Sequence, residues 1–297
     1  NQFLIGDGDA STTVLEVPDL TGGINFDAVK AVLGYDTFSV DLFAAKISEG
    51  FNSFVEDKDD VDLFGVNAAF KLGDKGASVI EAYTFVQMDK SVISGLEPKA
   101  NKLYVPGLRL STNLLDGIAL SLEGAYQFGD GDPIVGADKS EISAYGLQGM
   151  ASFSIPLIED MKPVLSLGYT YLSGDDDTLD NKDKNFNVLY QNQNVGRIFH
   201  SFGFDSTNMR IASAALELIP LQDITTKLSV YNLSSSQKED LADGSKVGNE
   251  YDLDMSYAYT EDVKFGISAG LFVPGDAFAE DLQKHQTQLI SSVSVLF

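Results

Sequence analysis

The chain runs to 297 residues with no Cys, no Trp and a formal net charge of −24. The missing Cys excludes disulfides, thiolate chemistry and Cys-ligated metals, and suits passage through an oxidising periplasm; the acidic balance excludes nucleic acid, whose phosphates demand Lys and Arg. No run of about 18 apolar residues occurs, which excludes a transmembrane helix but not strands that alternate lipid-facing with lumen-facing side chains.

In chain order, a fragment at 2–5 reads as the end of a strand. Residues 24–34 (INFDAVKAVLG) and 38–48 (FSVDLFAAKIS) then alternate with period 2 and flank a tight turn at Gly34-Tyr35-Asp36-Thr37. The unit recurs as 61–72 with 77–88, joined by Gly73-Asp74-Lys75-Gly76, then as 101–112 with 117–128 and 143–155 with 163–173. It returns as 208–218 with 224–234 and 248–259 with 263–273, and a last strand covers 286–297. That predicts about thirteen or fourteen strands in one domain over 1–297.

The gaps carry the topology. Short ones (Asn113 to Gly117, Pro220 to Asp223, Thr260 to Asp262) alternate with long ones at 49–60, 89–100, 129–142, 174–207, 235–247 and 274–285, rich in Asp, Gly, Asn and Ser. Such alternation is what an all-β, transmembrane, antiparallel up-and-down β-barrel of the bacterial outer membrane produces, with short periplasmic turns and long extracellular loops. A soluble sandwich has no reason to put every long loop at one end. In 117–128, Ile118, Leu120, Leu122, Tyr126 and Phe128 share one side, with Ser121, Glu123 and Gln127 opposite. Periodicity does not say which side faces inward. Tyr104, Tyr126, Tyr145, Tyr169, Tyr171, Tyr257 and Tyr259 cluster at strand ends on the apolar side, as an interfacial girdle would. The chain ends on Phe297, in phase with Val295, Val293 and Leu289. A closing strand with a terminal aromatic resembles the signal read by the barrel-assembly machinery.

Several stretches resemble the alginate-export family of outer-membrane porins. They are Leu165-Ser-Leu-Gly-Tyr-Thr-Tyr-Leu-Ser-Gly-Asp-Asp-Asp177 with Asn181-Lys-Asp-Lys-Asn-Phe-Asn187, and Gly248-Asn-Glu-Tyr-Asp-Leu-Asp254. Pro274-Gly275, Gln2-Phe-Leu-Ile-Gly-Asp-Gly8 and Phe26-Asp-Ala-Val29 also fit. The resemblance implies an eighteen-stranded barrel in which more strands precede the segment matching Gln2 to Gly8, so this chain is expected to lack an N-terminal portion. It implies the fold but not the cargo. An alginate channel is arginine-lined, and the only arginines here are Arg109, Arg197 and Arg210.

The expected pore-lining residues are Asp41, Lys71, Glu81, Arg109, Glu123, Gln127, Lys227, Glu250, Asp252, Asp254 and Lys264, with Gln87 and Gln148 beside them. Mixed signs on one face pair charges across neighbouring strands, and also make a polar pore whose field selects permeants. Glu250, Asp252 and Asp254 form an acidic ladder that favours cations or neutral solutes. Asp175, Asp176, Asp177 and Asp180 offer Ca²⁺ the oxygen ligands it prefers, without the EF-hand spacing; no other cofactor is expected. Catalysis is not expected. The two histidines lie in gaps, and His200 with Ser201 and Asp205 matches no hydrolase spacing. The apolar patch Ile198 to Phe204 in the longest gap is expected to fold into the pore as a constriction or plug.

Two function classes follow: a passive or selective porin for small solutes or ions, embedded in outer-membrane lipid and lipopolysaccharide, or a barrel scaffold that sheathes a protein partner for secretion or electron transfer. The terminal residue gives a first prediction. Deleting Phe297 should lower the amount of protein in the outer membrane far more than it alters the folded barrel, as measured by surface immunoblot against heat-modifiable gel mobility; normal surface levels would refute it.

Overall fold

A computed structural model describes residues 27–48, 60–73, 77–90, 101–131, 140–177, 179–189, 195–201, 207–238 and 244–296. The fragment at 2–5, residues 24–26 and Phe297 lie outside them. Thirteen long strands follow one another: β1 (Asp27–Gly34), β2 (Phe38–Ser48), β3 (Val61–Leu72), β4 (Ser78–Asp89), β5 (Asn101–Leu115), β6 (Ile118–Gly131), β7 (Ser140–Ser154), β8 (Val164–Leu172), then β10 (Met209–Leu221), β11 (Ile224–Ser235), β12 (Lys246–Ala258), β13 (Val263–Pro274) and β14 (Gln286–Val295). A two-residue strand, β9 (Lys182–Asp183), lies between β8 and β10 in sequence and pairs in parallel with β7. Every other pairing is antiparallel and between successive long strands, so all belong to one up-and-down sheet. Among the described residues the sheet is not closed; β1 and β14 are its edges.

Short and long connections therefore fall at opposite ends. At the short end Gly117 adopts φ +81° in the Asp116-Gly117 turn, a conformation that costs glycine little. The β7–β8 turn is wound as a 3₁₀-helix over Pro156–Met161, because Pro156 has no N–H to continue the ladder. Strands β5 and β6 pair further than the sequence pattern indicates. Apolar alternation stops at Phe128, yet pairing runs on through Asp130, whose partner on β5 is Lys102 and on β7 Glu141, since ladder bonds do not require an apolar side chain.

Burial decides which face points in. Leu108 at mid-β5 is 62% exposed, and Leu122, Leu147, Leu167, Leu228, Val230 and Ile267 are exposed with it. On the opposite face Glu123, Gln127, Thr170, Ser229, Glu250, Asp252 and Asp254 are buried. A sheet that buries carboxylates and exposes leucines is inside out relative to a soluble barrel. Two aromatic belts border the apolar band. Near the long connections Tyr104 stacks on Phe128 (5.2 Å) and Tyr145 on Tyr171 (5.4 Å). Near the short turns Tyr35 stacks on Phe38 (4.4 Å), and Tyr257 and Tyr259 pack on Phe265. Such belts sit at the two membrane–water interfaces.

The polarity of the faces gives a measurable asymmetry. Leu108→Lys places a charge at the centre of the outward band and should lower folding free energy in lipid vesicles by about 2–4 kcal/mol. Ser121→Lys, on the inward face of β6, should cost well under half of that. Urea titrations of the two variants check the ordering.

Candidate functional site

The inward face carries its charges in a regular order. On β1 and β2, Lys30 pairs with Asp41 at 2.8 Å. On β3, Lys71 shares the face of buried Leu63. Glu81 on β4 lies directly across from Arg109 on β5, and Arg109 across from Glu123 on β6. The Arg109–Glu81 pair is long, at 3.8 Å, while Glu123 accepts a 2.6 Å hydrogen bond from the Tyr83 hydroxyl. The Tyr83 ring reaches this position by lying over Gly107, where any Cβ would collide with it. The row continues through neutral groups, Glu123 facing Gln148 and Gln148 facing Thr170, with a 3.1 Å bond between the last two. Beyond them a second row runs Glu217, Lys227, Asp254 across β10, β11 and β12, and Lys264 lies on the same face of β13.

The long connection between β8 and β10 folds onto this face. Asn187 and the fully buried Gln127 of β6 exchange two hydrogen bonds, the Gln127 amide donating to the Asn187 carbonyl (2.6 Å) and the Asn187 N–H to the Gln127 side-chain oxygen (2.8 Å). Further on, a one-turn helix α1 (Arg197–Ser201) sits on β12 and β13. Glu250, with no exposed surface, accepts the N–H groups of Ile198 (2.5 Å) and Phe199 (2.9 Å). Asp252 accepts the Arg197 N–H at 3.2 Å. The Arg197 guanidinium forms an ion pair with Asp254, its Nε at 2.6 Å. Gly196 makes the approach feasible: its φ is +74°, and a Cβ there would strike the Glu250 carboxylate. Gly270 likewise leaves room for Ile198. Toward the long-connection end the face turns apolar, and Phe186, Val195, Ile198 and Phe199 join Leu103, Val105, Leu172, Leu233 and Phe272 in one buried cluster.

The acidic ladder is thus not the open wall that the strand pattern alone suggests. Glu250, Asp252 and Asp254 share a face, but the helix covers them and its donors and Arg197 occupy them. The reason is tertiary: donors arrive from some 50 residues away. Asp41, Lys71, Glu81, Arg109, Glu123, Gln127, Lys227 and Lys264 share that face with them. Lys30 and Glu217 complete the order and escape sequence inspection, because each is a single charge inside an apolar stretch. The Asp-rich segment serves its own backbone: Asp175 accepts the N–H of Asp177, Asp177 that of Leu179, and Asp180 that of Lys182, each an Asx turn. Asp176 pairs with Lys184, whose ammonium holds the carboxyl below the usual carboxylate range and is itself raised. Among the described residues no group of three or more His, Asp or Glu is placed to hold a metal ion. His200 is exposed, Ser201 is the last residue of α1, and Asp205 lies outside the described residues.

An apolar outward band between aromatic belts, around a polar interior entered by a loop, defines a channel protein of the bacterial outer membrane. The alginate export family matches the sequence over residues 15–291, and the chain belongs to that family. Among solved structures it is similar to OccK11 (OpdR) of Pseudomonas aeruginosa, with 11% identity, a TM-score of 0.51, and 92% of this chain and 71% of that one covered; at that identity the likeness concerns the fold. It also resembles the outer membrane channel DcaP of Acinetobacter baumannii (9% identity, TM-score 0.44, 91% and 84% covered) and the NanC porin (10%, 0.39, 79% and 94%). No curated protein sequence matches the chain.

The anchoring of α1 can be probed amide by amide. Glu250→Gln leaves one acceptor oxygen for two N–H groups. A hydrogen bond to a charged acceptor is worth about 1.5–3 kcal/mol, so exchange at Ile198 or Phe199 should rise by about 10- to 100-fold. Hydrogen–deuterium exchange of the 195–201 peptide reads this directly, and an unchanged rate would contradict the contact.

Proposed function

We propose that the protein is a diffusion channel that passes small hydrophilic solutes or ions across the outer membrane along the polar inward face. The inversion of faces carries this reading, because buried charges under an exposed leucine shell are stable only where lipid lies outside and water within. The β8–β10 connection, tied to β6 by Asn187 and to β12 by Arg197, narrows that water-filled space. The wall does not suit a polyuronate. Of the three arginines, Arg197 is committed to Asp254, and Arg210 lies outward, its guanidinium 5.9 Å from the centre of the Tyr171 ring. Only Arg109 remains on the polar wall, between two glutamates. In this reading the outward face meets outer-leaflet lipid and lipopolysaccharide, and the barrel-assembly machinery inserts the chain.

Planar-bilayer recording tests the proposal. The purified protein should give discrete ohmic steps, and Arg197→Ala, which removes the guanidinium and its ion pair with Asp254 from the narrowed space, should enlarge them. A protein that inserts but stays silent, wild type and variant alike, would overturn the channel and favour a barrel that sheathes a partner.

A further inference from the structure

The rim at the long connections treats its cations in two ways. Over β2–β6 the described ones have carboxylates at hand: Lys46 pairs with Asp60 (3.0 Å), Lys90 with Asp62 (3.2 Å), and Lys102 stands opposite Asp130. Over β10–β12 they do not. Arg210, Ser234 and Lys246 are register partners in one outward-facing row across these three strands, and both cations are exposed. Among the described residues, β8 and β10–β13 carry no carboxylate on the outward face, in a chain whose net charge is −24. Asp276, beyond β13, approaches the row only to accept the Lys246 backbone N–H at 2.8 Å. One step deeper the outward face stays polar, with the Asn232 amide donating to Asn249 at 2.8 Å. Below these amides Leu228, Val230 and Tyr251 are exposed.

Arg210 is already oriented. Its Nη2 donates to the Ser236 carbonyl at 2.9 Å, and its guanidinium lies 5.9 Å from the centre of the Tyr171 ring. That bond uses one of its several donors, and a guanidinium with donors to spare matches phosphate oxygens in pairs. Lys246 lies two strand spacings away, about 10 Å. Two cations at that span, with a hydroxyl and two amides between and below them, fit one kind of headgroup. It carries phosphate at both ends, hydroxyl and amide groups in the middle, and acyl chains beneath. Built on the channel reading above, in which the long connections face the cell exterior, we propose that this patch seats the bisphosphorylated disaccharide of lipid A, the membrane anchor of lipopolysaccharide. Its acyl chains then run down over Leu228, Val230 and Tyr251. A glycerophospholipid with a single phosphate does not span the pair.

The test titrates the full-length protein, folded in detergent micelles, with bisphosphorylated lipid A and counts bound lipid by native mass spectrometry. Arg210→Ala and Lys246→Ala should each weaken binding about fivefold, the worth of one cation at a lipid surface. Removing one phosphate from lipid A should cost the wild type a similar factor. The double variant should bind the bisphosphorylated and dephosphorylated forms alike. Lys102 already faces Asp130, so Lys102→Ala should leave the affinity unchanged. An equal loss with Lys102→Ala, or a wild type indifferent to the phosphates, would overturn the site. So would displacement of lipid A by millimolar inorganic phosphate, which would mark a site for a free anion instead. Heat-modifiable mobility confirms that each variant is folded. The channel reading has its own readout: wild type and double variant should conduct alike in planar bilayers. A silent wild type would overturn the channel while the lipid comparison still decides the site.

Discussion

In hydrocarbon a backbone N–H or C=O has no water to bond, and leaving one unpaired costs several kcal/mol. A chain that crosses by strands must therefore give each strand a neighbour on both sides and turn its apolar side chains outward. Everything else in this molecule follows from that constraint. The consecutive antiparallel order satisfies the ladder with the shortest connections. The exposed Leu108, Leu122 and Ile267 satisfy the lipid. The price is an interior lined with groups that a soluble core would not tolerate, and these groups must find partners of their own.

The interior answers in two ways. Across β4, β5 and β6, charges on adjacent strands compensate one another, as in Glu81–Arg109–Glu123. Where three carboxylates follow one another on β12, no neighbouring strand supplies enough cations: Lys227 faces Asp254, whereas Ser229 faces Asp252 and Tyr231 faces Glu250. The deficit is met from outside the sheet, by Arg197 and the N–H groups of a one-turn helix. A helix N-terminus offers unsatisfied donors, and Glu250 takes two of them. One inserted segment thus both occupies the lumen and neutralises the most acidic strand.

The fold was legible in the sequence because period 2 and the alternation of gap lengths are local properties, and they bound the thirteen long strands to within a few residues. The face was not, since alternation is symmetric until exposure breaks the tie, and only the tyrosines hinted at the answer. At the site the sequence marks the residues but not their state. Glu250, Asp252 and Asp254 read as one acidic row, yet their partners sit more than 50 positions upstream. The apolar run Ile198-Phe199 signalled that this gap is not simply solvated, whereas Lys30, embedded in Ala-Val and Ala-Val-Leu, gave no signal. The Asp-rich segment follows chemistry just as local: an Asp followed two residues later by a free N–H closes its own turn.

The inserted connection also sets an order of events. Its bonds to Gln127 and Asp254 span 60 and 57 residues in opposite directions along the chain, so neither forms until β6 on one side and β12 on the other stand in the sheet. Contacts of such separation are made late, after the loop-closure entropy has been met by the hairpins between them. While the hairpins zip together the lumen is therefore empty, and the last strands are added to a wall still free to flex. Docking of the connection ties Asn187 to β6 and α1 to β12, which makes an inward-folded loop the mark of a finished wall.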